Sequence, residues 1–301
     1  MLAATPPLTV MIPLGGIGSR FQSEGYAAPK PFVKVFGTPM IVKVIESLKL
    51  KPNDALVIVY NPAFLDRRVW VPLKSAYPAL TLVELGGPTR GAAETVLIGL
   101  KGLPRKLLER PVMLVDGDCF YDEDILSMYR AVCLDANAVF YFKDTQVILI
   151  SYISLCGHHL VANPLNSLSI TAFAQPKPMY SYIKTEPDGK ITEVKEKVKI
   201  SDNANSGCYC FAKGEELQKQ VRFMCSALLN AKKTQTGALQ THTVGEYYTS
   251  GVIAQMIEQA RCAWLPFTSR AEAILCAPQG ALFKALRIDP KRMYVLGTPA
   301  Q

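Results

Sequence analysis

Only three histidines occur in 301 residues, and two of them, His158 and His159, are adjacent. Neighbouring side chains point apart on a helix or a strand, so this pair does not make a metal site. None of the eight cysteines belongs to a C-x-x-C, and Cys208 and Cys210 alternate along a strand-like run. They read as reduced core thiols, not a disulfide framework. No basic run carries interleaved aromatics: the densest cluster, Lys190 to Lys199, is broken by Glu193 and Glu196. The net charge of +8 therefore suits either a solvated face or a phosphate-binding role, and no nucleic-acid partner is expected. The leading MLAATPP has neither a basic leader nor an apolar segment, so a cytoplasmic location is expected. With 49% apolar and 19% charged residues, the chain has ordinary globular composition.

Chemistry is concentrated in Met11 to Pro31, MIPLGGIGSRFQSEGYAAPKP. An apolar run, Leu8 to Leu14, breaks into Gly15, Gly16 and Gly18, followed by Ser19, Arg20 and Lys30 between two prolines. Glycines let backbone N–H groups converge on an anion, Arg20 offers a planar fork, and Lys30 offers a point charge. The glycines alone would equally suit a plain strand-to-helix turn. A P-loop, G-x-x-x-x-G-K-[ST], is absent; a dinucleotide-binding turn lacks its third glycine, and Pro-Lys-Pro interrupts its helix.

Beyond the loop, Phe32 to Phe36 is expected as a short strand and Met40 to Leu50 as an amphipathic helix. ALVIVY, Ala55 to Tyr60, reads as a strand buried on both faces. The alternation continues with a helix near Phe64 to Ala76, a strand at Leu80 to Leu85 and a helix from Ala92 to Leu100. Gly91, Ala92 and Ala93 open that last helix with small side chains, which suits close packing or a flat base lying on backbone. Pro111 to Phe120 is an apolar strand ending in Asp116 and Asp118, a pair that suits a turn or a hard cation such as magnesium. A helix, Asp122 to Leu134, and a strand, Ala138 to Phe142, follow. Next comes a hairpin turning at Pro187-Asp188-Gly189, then Glu196-Lys197 and Asn205-x-Gly207-x-Tyr209-x-Phe211.

G-G-x-G-S-R-F with a downstream P-K-P, Gly91-Ala92, the Asp at a strand end and E-K with N-x-G-x-Y-x-F stand in one order. That order resembles the sugar-phosphate nucleotidyltransferases, the nucleotide-sugar pyrophosphorylases with a glycosyltransferase-A-like fold. Ser19 stands where relatives usually carry Thr. The resemblance implies a Rossmann-like three-layer α/β/α domain with a mixed, mostly parallel sheet. It implies transfer of a nucleotidyl group from a nucleoside triphosphate to a sugar 1-phosphate, with release of pyrophosphate and Mg2+ as cofactor. Arg20 and Lys30 would then be catalytic. Leu14, Gly15, Gly16, Gly18, Ser19, Gly91 and Ala92 would bind the nucleotide, and Glu196, Lys197, Asn205 and Gly207 the sugar phosphate. Asp118 would hold the metal, with Asp116 the second candidate. Relatives carry an aspartate two positions before a final G-T-P motif, and this chain has Val295 there. Phosphocholine is an alternative acceptor, since Tyr180, Tyr182, Tyr209, Tyr247 and Tyr248 could cage a quaternary ammonium. A catalytically silent sugar-nucleotide-binding protein is the other alternative. No membrane partner is expected, and the sequence does not give an oligomeric state.

Two stretches stand outside this reading. Residues 147–175 contain no Asp, Glu, Lys or Arg in 29 positions, yet the apolar part is about ten residues, short of the ~20 of a span. Excising them joins Thr145-Gln146 to Pro176-Lys177, and excising 260–279 joins MIEQ to GALFK. Both are expected to be insertions or retained introns; Val147 is encoded by GTN and Gln175 can be CAG. The domain is thus expected as 1–301, with 1–146 the nucleotide half and 176–259 plus 280–301 the sugar-phosphate half. Stopping at Gln301, just after G-T-P, leaves room for a missing C-terminal helix or domain.

Overall fold

The computed structural model describes residues 5–64, 67–144, 178–233, 246–264 and 282–297. Residues 147–175, most of 260–279, and Thr298-Pro299 of the G-T-P motif lie outside them.

Four apolar runs make the parallel heart of the main sheet: β1 (Thr9–Leu14), β4 (Ala55–Tyr60), β5 (Leu80–Glu84) and β6 (Val112–Val115). They lie in the order β6-β1-β4-β5, with Thr9 to Leu14 in register with Ala55 to Tyr60. All six residues of β4 are buried, as expected of a strand covered on both faces. Between these strands run α1 (Ser19–Ser23), the small hairpin β2 (Lys34–Val35) and β3 (Thr38–Pro39), α2 (Met40–Ser47), α3 (Arg67–Ala76), α4 (Ala92–Lys101) and α5 (Arg105–Leu108). The strand expected over Phe32 to Phe36 is present but shorter, as β2 at Lys34–Val35, with Phe32 ending a 3-10 turn that spans Lys30–Phe32. Pro31 suits the turn, because it has no N–H to leave unpaired in the first turn of a helix.

The second half adds β7 (Cys119–Tyr121), α6 (Ile125–Arg130), β8 (Asn137–Lys143), β9 (Ser181–Thr185), β10 (Ile191–Glu196), β11 (Asn203–Phe211), α7 (Gly214–Lys233), α8 (Thr249–Trp264), β12 (Phe283–Arg287) and β13 (Met293–Val295). β9 and β10 form the hairpin turned by Pro187-Asp188-Gly189. β11 is the join. Along one edge it pairs antiparallel with β6 through Cys208 to Phe211 and meets β9 at Ala204. Along the other it pairs with β8, which carries β12 in parallel. All nine residues of β11 are buried. α8 runs unbroken past Ala260 to Trp264.

Side-chain alternation on the strands sorts the core into two layers. Val10, Ile12, Leu56 and Ile58 pack with α2, α3 and α6 through Ile41, Trp70 and Tyr129. Met11, Val57 and Val59 pack on the opposite face with α4, α7 and α8 through Val96, Val221 and Ile253. The result is a three-layer α/β/α architecture around a mixed sheet. Among the described residues, no helix is long and apolar enough to cross a membrane. Cys119, Cys133, Cys208, Cys210 and Cys225 are free and buried.

Candidate active site

At the carboxyl end of β6 the chain turns through Asp116-Gly117-Asp118 into β7. The middle of β11 lies beside that turn: Asp116 N–H donates to the Gly207 carbonyl at 2.9 Å. Gly207 has φ +81°, and a Cβ there would lie 2.6 Å from Asp116 Oδ2. Glycine thus provides both the backbone conformation and the space for the Asp116 carboxylate.

The loop after β1 brings the first cations. Gly18, at φ +69°, caps α1, and a Cβ on it would lie 2.9 Å from the Cβ of Lys30. Lys30 starts its 3-10 turn against this glycine and sends its ammonium into an ion pair with Asp118. The same ammonium lies 5.6 Å from the centroid of the Phe21 ring and donates to the Gly297 carbonyl at 3.5 Å. Gly297 arrives from β13, whose Val295 is paired with Cys119, and Leu296 N–H donates to the Asp118 carbonyl at 2.8 Å.

Lys30, Asp116, Asp118 and Gly297 line a cavity of about 330 Å³ together with Arg20, Ala92, Glu196, Lys197, Asn205 and Gly207. Lys197, at φ +53°, donates to the Tyr248 hydroxyl at 2.5 Å, and that hydroxyl donates to Glu246. Glu196 accepts from Ser250 Oγ at 2.7 Å, and burial raises its carboxyl above the ordinary range. Asn205 is 4% exposed. Its Oδ1 accepts from Gly207 N–H at 3.1 Å, which assigns the other end as Nδ2, a buried donor with no partner among the described residues. A buried amide left unpaired is costly, so it calls for an acceptor from a ligand or a water.

Burial, with Asp118 as the second cause, pushes the Asp116 carboxyl up to about 8; Lys30 pulls the other way. Two carboxylates held together by one strand end, one of them cradled where a Cβ would clash, suit a hard cation that also takes phosphate oxygens. Among the described residues no three His, Cys, Asp or Glu side chains converge as a complete protein-only metal cage. Val295, on the cavity wall, has an apolar side chain with no ligand atom.

Of the other residues singled out in the sequence, Leu14 is buried at the end of β1. Gly15, Gly16, Gly18, Ser19 and Gly91 stand outside the cavity wall. Ala93 N–H donates to the Tyr247 carbonyl at 2.8 Å, which ties the start of α4 to the segment before α8. Of the five tyrosines considered for an ammonium cage, Tyr180, Tyr209 and Tyr248 line the cavity. Tyr182 and Tyr247 do not: Tyr182 donates to Asp144 at 2.8 Å, and Arg90 lies over the Tyr247 ring at 4.5 Å. Sequence reasoning missed Cys119, Ser206 and Thr249, which line the cavity, and Ser250, which holds Glu196. No local motif marks Ser250, because β10 and α8 meet only in the folded chain.

No family model and no curated protein matches the chain in sequence. Among solved structures, the nucleoside-diphosphate-sugar pyrophosphorylase of Vibrio cholerae RC9 is similar, with a TM-score of 0.63 and 18% identity over 97% of this chain and 96% of that one. The inositol-1-phosphate CTP transferase of T. maritima gives 0.56 and 11% identity, covering 99% of this chain and 91% of its own. The CTP:phosphocholine cytidylyltransferase of Streptococcus pneumoniae gives 0.57 and 13%, covering 98% and 95%. Across nearly its whole length, then, the chain has the three-layer α/β fold that these nucleotidyltransferases share.

Proposed function

We propose that this chain is a cytoplasmic, magnesium-dependent nucleotidyltransferase that joins a nucleoside triphosphate to a sugar 1-phosphate and releases pyrophosphate. The observation that carries the reading is one cavity that collects Arg20, Lys30 and Lys197, the Asp116–Asp118 strand end and the unpaired amide of Asn205. An acceptor phosphate oxygen attacks the α-phosphorus and the bond to the β-phosphate oxygen breaks. The nucleophile is already anionic, so the protein must position and neutralise charge more than remove a proton. Arg20 serves the leaving pyrophosphate, Lys30 the α-phosphate and Lys197 the incoming phosphate. Glu196 and Asn205 bind hydroxyls of the sugar. Asp118 and Asp116 hold the magnesium ion, which when bound neutralises charge on the phosphate oxygens. The loop Leu14 to Ser19 and the Gly91-Ala92 helix start receive the nucleotide.

A phosphocholine acceptor is the second reading, favoured by Tyr180, Tyr209 and Tyr248 beside Glu196 and Glu246 on the same wall. The deciding assay is magnesium-dependent pyrophosphate release, with four nucleoside triphosphates crossed against hexose 1-phosphates and phosphocholine. It is run on the whole chain and on one lacking residues 147–175, the proposed insertion. One productive pair is expected, and Lys30→Ala should lower its turnover by about 100-fold or more. No release from either folded chain would refute an enzyme and leave a sugar-nucleotide-binding protein.

A further inference from the structure

Asp118 is already engaged before any cation is considered. Its Oδ2 pairs with the Lys30 ammonium, its Oδ1 accepts from the Cys119 thiol at 3.5 Å, and its carbonyl is held by Leu296 N–H. Both members of the ion pair are about one-fifth exposed, at 22%, so water screens the pair less than it would a surface pair. Lys30 has little freedom to leave. Its backbone is set by Pro29 and Pro31 in a 3-10 turn and packed on Gly18, and among the described residues its ammonium also meets a carbonyl at 3.5 Å, the Phe21 ring and the charge of Asp116. The remaining basic side chains of the cavity do not share this role: Lys197 is tied to Tyr248, and Arg20 is on exposed α1.

From this arrangement, and resting on the nucleotidyltransferase reading above, we infer that Lys30 is the built-in counter-ion of Asp118, competing with the divalent cation for that carboxylate until a phosphate draws the ammonium away. A cation arriving alone takes Asp118 and Asp116 together, displaces Lys30 and leaves the ammonium with a carbonyl and an aromatic ring as its partners. A cation arriving with a phosphate gives it a new anion. The two ligands therefore reinforce each other, and reciprocity requires each to raise the other's affinity by the same factor. Lys30 thus acts as a coupling group in addition to its place on the α-phosphate.

The test is Mn2+ binding to the nucleotide-free protein, read from the free-ion electron paramagnetic resonance signal, with folding checked by circular dichroism. Lys30→Met is measured beside Lys30→Gln, which keeps a polar end in case methionine disturbs the loop. Both should bind Mn2+ about tenfold more tightly than wild type, within the usual range of coupling factors. Lys197→Met removes a cavity charge that does not touch Asp118 and should change affinity less than about threefold, so an equal gain there would reduce the effect to net charge and overturn the inference. Unchanged or weaker binding in both Lys30 variants would also overturn it. Asp118→Asn separates the two readings. It should abolish binding; if it does so while the Lys30 variants do not tighten, only the inference falls, and if it leaves binding intact the metal assignment itself falls.

Discussion

At Asp116 the carboxyl holds its proton to about pH 8, whereas in an unfolded chain it would lose it near ~3.9. Between those values the folded protein binds more protons than the unfolded one, so stability falls as pH rises across that window. The strand end thus works against the fold near neutral pH unless a cation is present. With a chelator in the buffer, wild type should lose melting temperature relative to Asp116→Asn on going from about pH 5 to about pH 8. Parallel melting profiles for the two proteins would mean that Asp116 is not the titrating group. Gly207 belongs to the same account, because its missing Cβ is what admits the Asp116 carboxylate. The sequence marks Gly207 only as part of a spaced motif; that it faces Asp116 depends on two strands about ninety residues apart, a separation that local pattern does not reach.

Individual elements were legible where periodicity was strong. ALVIVY formed its buried strand from Ala55 to Tyr60, and the hairpin turned at Pro187-Asp188-Gly189. α7 went unread, although Glu215 and Glu216 open it and Leu217, Val221, Met224 and Cys225 recur at helical spacing on its buried face. Its sequence carries no motif of a reactive site. The helix expected from Asp122 to Leu134 shrank to Ile125–Arg130, capped by the Asp124 side chain on Ser127 N–H. That short helix is anchored by Arg130, which forms a buried ion pair with Asp54. Asp54 also accepts from Leu8 N–H at 2.8 Å and Lys51 N–H at 2.7 Å, so it ties α6 to the starts of β1 and β4. Arg130→Met should cost about 3 kcal/mol in urea unfolding, because it strands a buried carboxylate. Adding Asp54→Asn should recover part of that loss. A single-variant loss below about 1 kcal/mol would show that the two backbone donors alone hold the carboxylate.

For the whole molecule, a mostly parallel sheet was legible from alternating strands and helices and the three layers followed from the motif resemblance, while the antiparallel insertion of β11 was not legible. A nine-residue run buried throughout looks alike whichever way it pairs. The cavity draws on both halves of the chain, from Arg20 to Gly297, so a ligand that fills it should stabilise the entire domain. At a hundredfold excess over its Kd, the nucleotide identified by the assay should, with magnesium, add about 2.7 kcal/mol. This should be visible as a rise of several degrees in melting temperature. A ligand that binds without moving the transition would place its site outside the cooperative core.

The position of β11 bears on how the chain is made. A ribosome produces β6 about ninety residues before the strand that covers its edge, and during that interval an apolar edge waits unpaired. Chains released before Phe211 would therefore carry a parallel half-sheet with one sticky border. They would tend to associate with each other through it, while the finished chain seals that border with its own later segment.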